Sequence, residues 1–268
     1  MARTAIITLT TDFGLTDHFV GAMKGVILEI APEAQIVDIS HAVQPFDILD
    51  GALTISQAYS YFPSGTVHMV IVDPGVGTAR RPVVMTGERH LFVAPDNGVL
   101  SLIYAREERV SVRHVTAEHY FLQPRSNTFH GRDIFSPIAA YLAKGIEPDR
   151  FGEEVTDYVR FNAPRPKPVD EHTLRGVVLK VDRFGNLITN ITPQDAPQLF
   201  GAAPPAFKIA IGNKLQATRI CASYAEGTPG EVFGILGSMG FLEVATNRSS
   251  AYQLMGAGKG SEVNVVME

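Results

Sequence analysis

Three apolar runs rich in β-branched residues, TAIITLT (4–10), QIVDIS (35–40) and TVHMVIVD (66–73), alternate with two segments of helical apolar spacing, HFVGAMKGVILEIAP (18–32) and FDILDGALTISQAYSYFP (46–63). No other feature of the chain narrows its fold as much. Near-continuous apolar runs suit strands buried on both faces. A strand–helix–strand order implies parallel neighbours joined by crossover helices. Thr16 or Asp17 is expected to cap the first helix and Pro32 to end it. Further strand-like runs follow at PVVMTG, HLFVAP and RVSVRHV, with helices near NGVLSLIYA and within RDIFSPIAAYLAKG.

The texture changes at NAPRPKPVDEHT (162–173), where prolines and charges crowd, as in a linker. Beyond it LRGVVLKVDRFGNLITNI, PAFKIAIGNKLQAT, EVFGILGSMGFLEVAT and SEVNVVM are strand-like runs broken by Gly, Asn and Pro turns. The expected class is α/β. A Rossmann-like N-terminal domain with a mostly parallel sheet spans 1–162, a linker 163–173, and a smaller β-barrel-like domain 174–268.

Composition removes several functions. The net charge is −5 and no Lys/Arg run exists, so neither nucleic acid nor an anionic membrane is an expected partner. No stretch reaches the roughly 20 apolar residues of a membrane span. The first apolar run is too short for a signal peptide and has no cleavage site. The single cysteine, Cys221, cannot form an internal disulfide, and no Cys/His cluster has zinc spacing. A soluble cytoplasmic protein without a metal is the expectation.

Ligands of open α/β sheets bind at the carboxyl ends of the strands. Polar residues fall there: Asp12 after the first strand, His41 after the second, Asp73 after the third, and Asp96-Asn97 after LFVAP. Asp12, in TTDFG, can accept both hydroxyls of a ribose, or simply cap the next helix. VDPGVGTARR lacks the spacing of a phosphate-binding loop. Its Asp73 and Arg80 can form a site or only a loop-closing ion pair. His130, in NTFHGRDIF, stands before a helix start, where it can move a proton or serve structure. In KVDRFGNL, Phe184 can stack on a flat base and Asn186 can read it, but the same residues make an ordinary turn. The loop GSMGFLEVATN offers Ser238, Glu243 and Asn247.

Taken in order, TLTTDFGLTDHFVGAMKG, FDILDGA, VDPGVGT.RR, APDNGVL, TFHGRDIF, VDRFGNL.TNI and SMGFLEVA.N resemble the S-adenosylmethionine (SAM) hydroxide adenosyltransferases, relatives of fluorinating and chlorinating enzymes. The resemblance covers nearly the whole chain. It implies hydrolysis of SAM to adenosine and methionine by attack of water on ribose C5′. SAM is then the substrate, and no cofactor is needed. It implies a trimer with sites at subunit interfaces. It maps a catalytic set onto Asp73, Arg80 and His130. It puts Asp12 on the ribose, Phe46 and Phe184 on flat ligand surfaces, and Asp182 and Asn186 on the methionine or adenine side. It places Ser238, Glu243, Thr246 and Asn247 on loops lining the site. The fluorinating relative carries tyrosine where this chain has Asp73 and a halide-holding serine where it has Gly131, and both changes suit water. Relatives can carry arginine where Met239 stands. The competing readings are a SAM or adenosine sensor without turnover and a SAM-dependent halogenase.

Overall fold

The computed structural model describes residues 5–201, 204–212 and 216–267. The chain divides into two compact units, Met1–Asn162 and Ala163–Glu268. Each is built around its own sheet.

In the first unit the elements run β1 (Ile6–Thr11), α1 (Phe19–Ile30), β2 (Gln35–Ser40), α2 (Ile48–Ala58), β3 (Val67–Ile71), β4 (Pro82–Thr86), β5 (Leu91–Pro95), α3 (Ser101–Tyr104), β6 (Ser111–His114) and α4 (Ser136–Ala143). The sheet order is β2-β1-β3-β5-β4-β6. β2, β1, β3 and β5 are mutually parallel, and β4 is antiparallel to both β5 and β6. β4 and β5 are joined by a tight turn closed by Gly87 N–H donating to the His90 carbonyl at 2.9 Å. So short a connection reverses the strand, whereas parallel neighbours need a crossover.

β3 shows why its run carries no polar alternation. Val67, Met69 and Ile71 join one core with α1 and α4, while Val70 joins another with α2 and α3. Both faces are covered, so both sets of side chains are apolar. Phe135, fully buried in the first of these cores, anchors α4 to the sheet. The helix α1 starts at Phe19 with His18 at its N-cap and no side-chain cap. Thr16 and Asp17 are therefore not the cap. His18 is already helical (φ −73°, ψ −7°), and its ring lies 4.7 Å from that of Phe19.

The second unit runs β7 (Lys167–Pro168), β8 (Thr173–Val181), β9 (Leu187–Thr189), β10 (Phe207–Ile211), β11 (Gln216–Ala217), β12 (Ile220–Cys221), β13 (Val232–Leu236), β14 (Leu242–Thr246), α5 (Ala251–Met255) and β15 (Glu262–Met267). Its sheet order is β11-β10-β15-β8-β9-β14-β13-β12, with β7 paired to β8. β11 also lies against β13, which curls the sheet into a barrel-like form around Val178, Leu187, Ile209, Val244 and Val265. Within the stretch read as linker, β7 pairs with β8. Residues 213–215 of the run PAFKIAIGNKLQAT lie outside the described residues.

Candidate active site

The parallel strands deliver polar groups at one edge of their sheet. The β3 ladder stops at Ile71, and the chain continues through Val72 to Asp73. A turn follows, with Thr78 N–H donating to the Gly75 carbonyl at 3.1 Å. Gly77 has φ +78°, and a Cβ there would sit 2.4 Å from the Asn127 carbonyl oxygen. Only glycine fits both conditions. The turn sends Arg80 back onto Asp73. Arg80 Nε donates to both Asp73 carboxylate oxygens at 2.9 Å, and its Nη2 donates to Oδ2 as well. The two side chains are only 8% and 5% exposed. The guanidinium also lies over the Phe135 ring, 5.1 Å from its centroid.

The same Nη2 stands 2.8 Å from His130 Nδ1. Arginine is always a donor, so Nδ1 accepts and the imidazole carries its hydrogen on Nε2. Burial, reinforced by the Arg80 charge, pushes the His130 pKa below the usual histidine value. His130 is 8% exposed and begins a π-helical turn over Gly131–Phe135 that leads into α4. Gly131 packs closely too: a Cβ would meet Met23 Sδ at 3.1 Å and the rings of Phe129 and Phe13 at 3.4 Å.

Asp12 stands beside this cluster. Its Oδ2 accepts from Phe46 N–H at 2.8 Å. Burial raises its pKa, and the Asp73 charge adds to the rise. Phe46 has φ +66°, a strained value for a bulky residue, and its ring is 73% exposed. The neighbouring arginine points elsewhere, and Arg81 holds Asp96 at 2.6 Å and Asp157 at 2.8 Å. Asp96 also accepts from Val159 N–H, and Asn97 donates to the Val72 carbonyl, so both serve structure. His41 likewise bonds Thr11 and Asp38.

In the second unit Asp182, Phe184, Asn186, Ser238, Glu243 and Thr246 line one cleft of about 720 Å³. Asp182 organises the turn below it. Its carboxylate accepts from Phe184 N–H at 2.9 Å, from Asn186 N–H at 2.8 Å and from Asn186 Nδ2 at 2.8 Å. Gly185 (φ +85°) lets the turn close, since a Cβ would lie 2.1 Å from Ser250 Oγ. Phe184 is left 78% exposed at its tip. Glu243 and Thr246 lie on β14, not on a loop, because β13 and β14 pair up to Thr246. Asn247 is not in the wall of this cleft. It donates to the Gly227 carbonyl at 2.8 Å and braces the chain. Tyr224 is in the wall, and its hydroxyl donates to Glu243 Oε2 at 3.1 Å. Burial raises the Glu243 pKa, and burial with the Glu243 charge lifts Tyr224 to about 12. Sequence reasoning missed Tyr224, Lys180 and Arg248, which sit in no recognisable spacing. Among the described residues no group of three or more His, Cys, Asp or Glu is placed to hold a metal.

Residues 7–152 match the SAM hydroxide adenosyltransferase N-terminal domain, and residues 176–264 match its C-terminal domain. The chain belongs to the SAM hydroxide adenosyltransferase family. A relative from Thermus thermophilus named (R)-S-adenosyl-L-methionine hydrolase is 38% identical, with 96% of this chain and 97% of that one covered. One of the same name from Salinispora arenicola is 35% identical over 99% of both. A fluorinase from Nocardia brasiliensis is 29% identical, with 92% of each covered. The family fold also appears in an uncharacterized conserved protein from Thermotoga maritima. It superposes with a TM-score of 0.88 at 34% identity, covering 98% of this chain and all of that one.

Proposed function

We propose that this protein is an S-adenosyl-L-methionine hydrolase that forms adenosine and L-methionine. The observation that carries the reading is the Arg80 fork, which holds Asp73 and His130 in one little-exposed cluster. The sulfonium of SAM is already a good leaving group, so no acid is needed to protonate it. The site must supply a positioned water and a base. The water oxygen bonds to C5′, the C5′–S bond breaks with its pair going to sulfur, and one water proton leaves. Asp73 is the base in this scheme. His130 cannot take that proton at Nδ1, which already accepts from Arg80, and its Nε2–H instead holds the water oxygen. Asp12 receives the ribose hydroxyls through the oxygen not bonded to Phe46. The cleft with Asp182, Asn186, Ser238, Glu243 and Thr246 takes the amino-acid and base ends of SAM, with Phe184 as a flat contact. A carboxylate at position 73 repels halide, which favours water over the chemistry named for the fluorinase relatives.

The enzyme works in the cytoplasm as a homotrimer with active sites at its subunit interfaces. The exposed rings of Phe46 and Phe184 support assembly or ligand cover on both units. Among the described residues no helix is long and apolar enough to cross a membrane. The test is incubation with SAM in ¹⁸O-water without added metal. Adenosine carrying ¹⁸O at the 5′ position, with methionine in equal amount, is the expected result. SAM recovered bound but intact would replace the hydrolase with a sensor. Light scattering checks the trimer.

A further inference from the structure

His130 and Arg80 belong to two surroundings at once. Besides the cluster with Asp73, both line a second cavity of about 350 Å³ in the first unit. Asp12, Phe46 and Asp73 are not in its wall. Its rim is polar and exposed: Thr78, Thr116, Arg125 and Asn127. Arg125 is tied to Glu118 at 3.0 Å, so the mouth carries little net charge. The space far exceeds the roughly 10–15 Å³ that one water needs, and its walls offer the polar partners that water requires. His130 Nε2 has no protein partner among the described residues, yet it is not sealed from solvent.

A water-attacking enzyme has a conflict to resolve. Its site must be dry around the sulfonium, but each turnover consumes a water and releases a proton. We infer that this cavity is the water port of the reaction: the nucleophile reaches the Asp73–Arg80–His130 cluster through it, while SAM covers the side where Asp12 and Phe46 stand. The proton that Asp73 takes passes to water on the Asp12 side once the products have left. The inference rests on the hydrolase reading and adds to it a separate site whose ligand is water.

The port is tested by closing it from the rim. In Asn127→Cys, a bulky methanethiosulfonate reagent attached at the mouth should lower kcat at least tenfold, leave KM for SAM within twofold, and be reversed by reduction. Cys221 is buried and should not compete for the reagent. Thr116→Leu with Asn127→Leu should act in the same direction, while Thr116→Ser should keep the parental rate. Affinity for S-adenosylhomocysteine, which lacks the sulfonium, should be unchanged and separates plugging from misfolding. Parental kcat in the modified Asn127→Cys enzyme would overturn the port. Absence of adenosine formation by the unmodified parent would instead overturn the hydrolase reading.

Discussion

Arg80 Nη2 donates to His130 Nδ1 across 2.8 Å, and this single contact fixes which nitrogen of the imidazole carries hydrogen. It also makes His130 a group that must be neutral to stay in place. A proton added at Nδ1 would face an arginine hydrogen.

The first prediction is a pH profile. Burial and Arg80 lower the His130 pKa, so the neutral form persists below the ordinary histidine value of about 6.5. Turnover of SAM should hold from about pH 8 down through 6.5 and fall only at more acid pH. Proton-coupled ¹⁵N shifts of His130 should show a bare Nδ1 across that range. An acid limb at or above 6.5 that vanishes in His130→Asn would contradict the lowering.

Asp73 is the second. Replacing a general base costs typically about 10²–10⁴-fold in rate. Asp73→Asn should therefore lose at least a hundredfold in kcat and keep its affinity for S-adenosylhomocysteine. Asp73→Ala goes further, because it leaves the Arg80 charge buried and unpaired, which costs about 3–5 kcal/mol. Urea denaturation of the two variants separates the chemical loss from the structural one. Undiminished turnover in the Asn variant would remove Asp73 from the mechanism.

Phe46 supplies a trade between stability and binding. Its φ of +66° is held by the hydrogen bond from its amide to Asp12. A left-handed conformation costs a non-glycine residue about 1–2 kcal/mol. Phe46→Gly should relieve that strain and leave the melting temperature equal or higher. It should raise KM for SAM several-fold, since the exposed ring is lost. A variant that melts lower with KM unchanged would mean that the ring serves the fold and not the ligand.

Much of this arrangement was legible in the sequence, for a physical reason. Strand runs such as TVHMVIVD announce themselves by being apolar on both faces, and Asp12 and Asp73 stand out because they interrupt such runs. The hairpin turns at Asp182–Asn186 and Ser238–Phe241 were visible through Gly and Asn. What spacing could not settle is which partner each polar group finds. Asp96 ends a strand just as Asp12 does, yet it is held by Arg81. Asn247 faces a carbonyl, and Tyr224 reaches Glu243 from nineteen residues away in sequence. The first of these pairings lies in the first unit and the other two depend on how the sheet of the second unit curls, long-range properties that no local pattern encodes.

The last prediction concerns acid stability and lies away from the site. His68 is fully buried, with Nδ1 2.7 Å from Thr8 Oγ1 and its ring 5.0 Å from that of His90. His68 Nε2 and both His90 nitrogens have no hydrogen-bond partner among the described residues. Burial, with the nearby His90, pushes the His68 pKa down to about 3, and burial lowers that of His90 too. Both are therefore neutral in the fold, while the unfolded chain takes up protons near pH 6.5. Below that value the unfolded state binds more protons, so stability falls as pH falls. The contribution is complete above about pH 6.5 and is lost progressively toward pH 3. A neutral folded His68 against a protonated unfolded one steepens the loss by about 1.4 kcal/mol per pH unit, and His90 acts in the same direction. His68→Asn should be less stable than the parent at pH 8, because it leaves a gap and shifts the Thr8 contact, but its stability should decline less steeply between about pH 6 and 4.5. Urea midpoints across that range measure both slopes. Equal slopes in parent and variant would show that His68 gains its proton inside the fold, and that the acid sensitivity of this unit arises elsewhere.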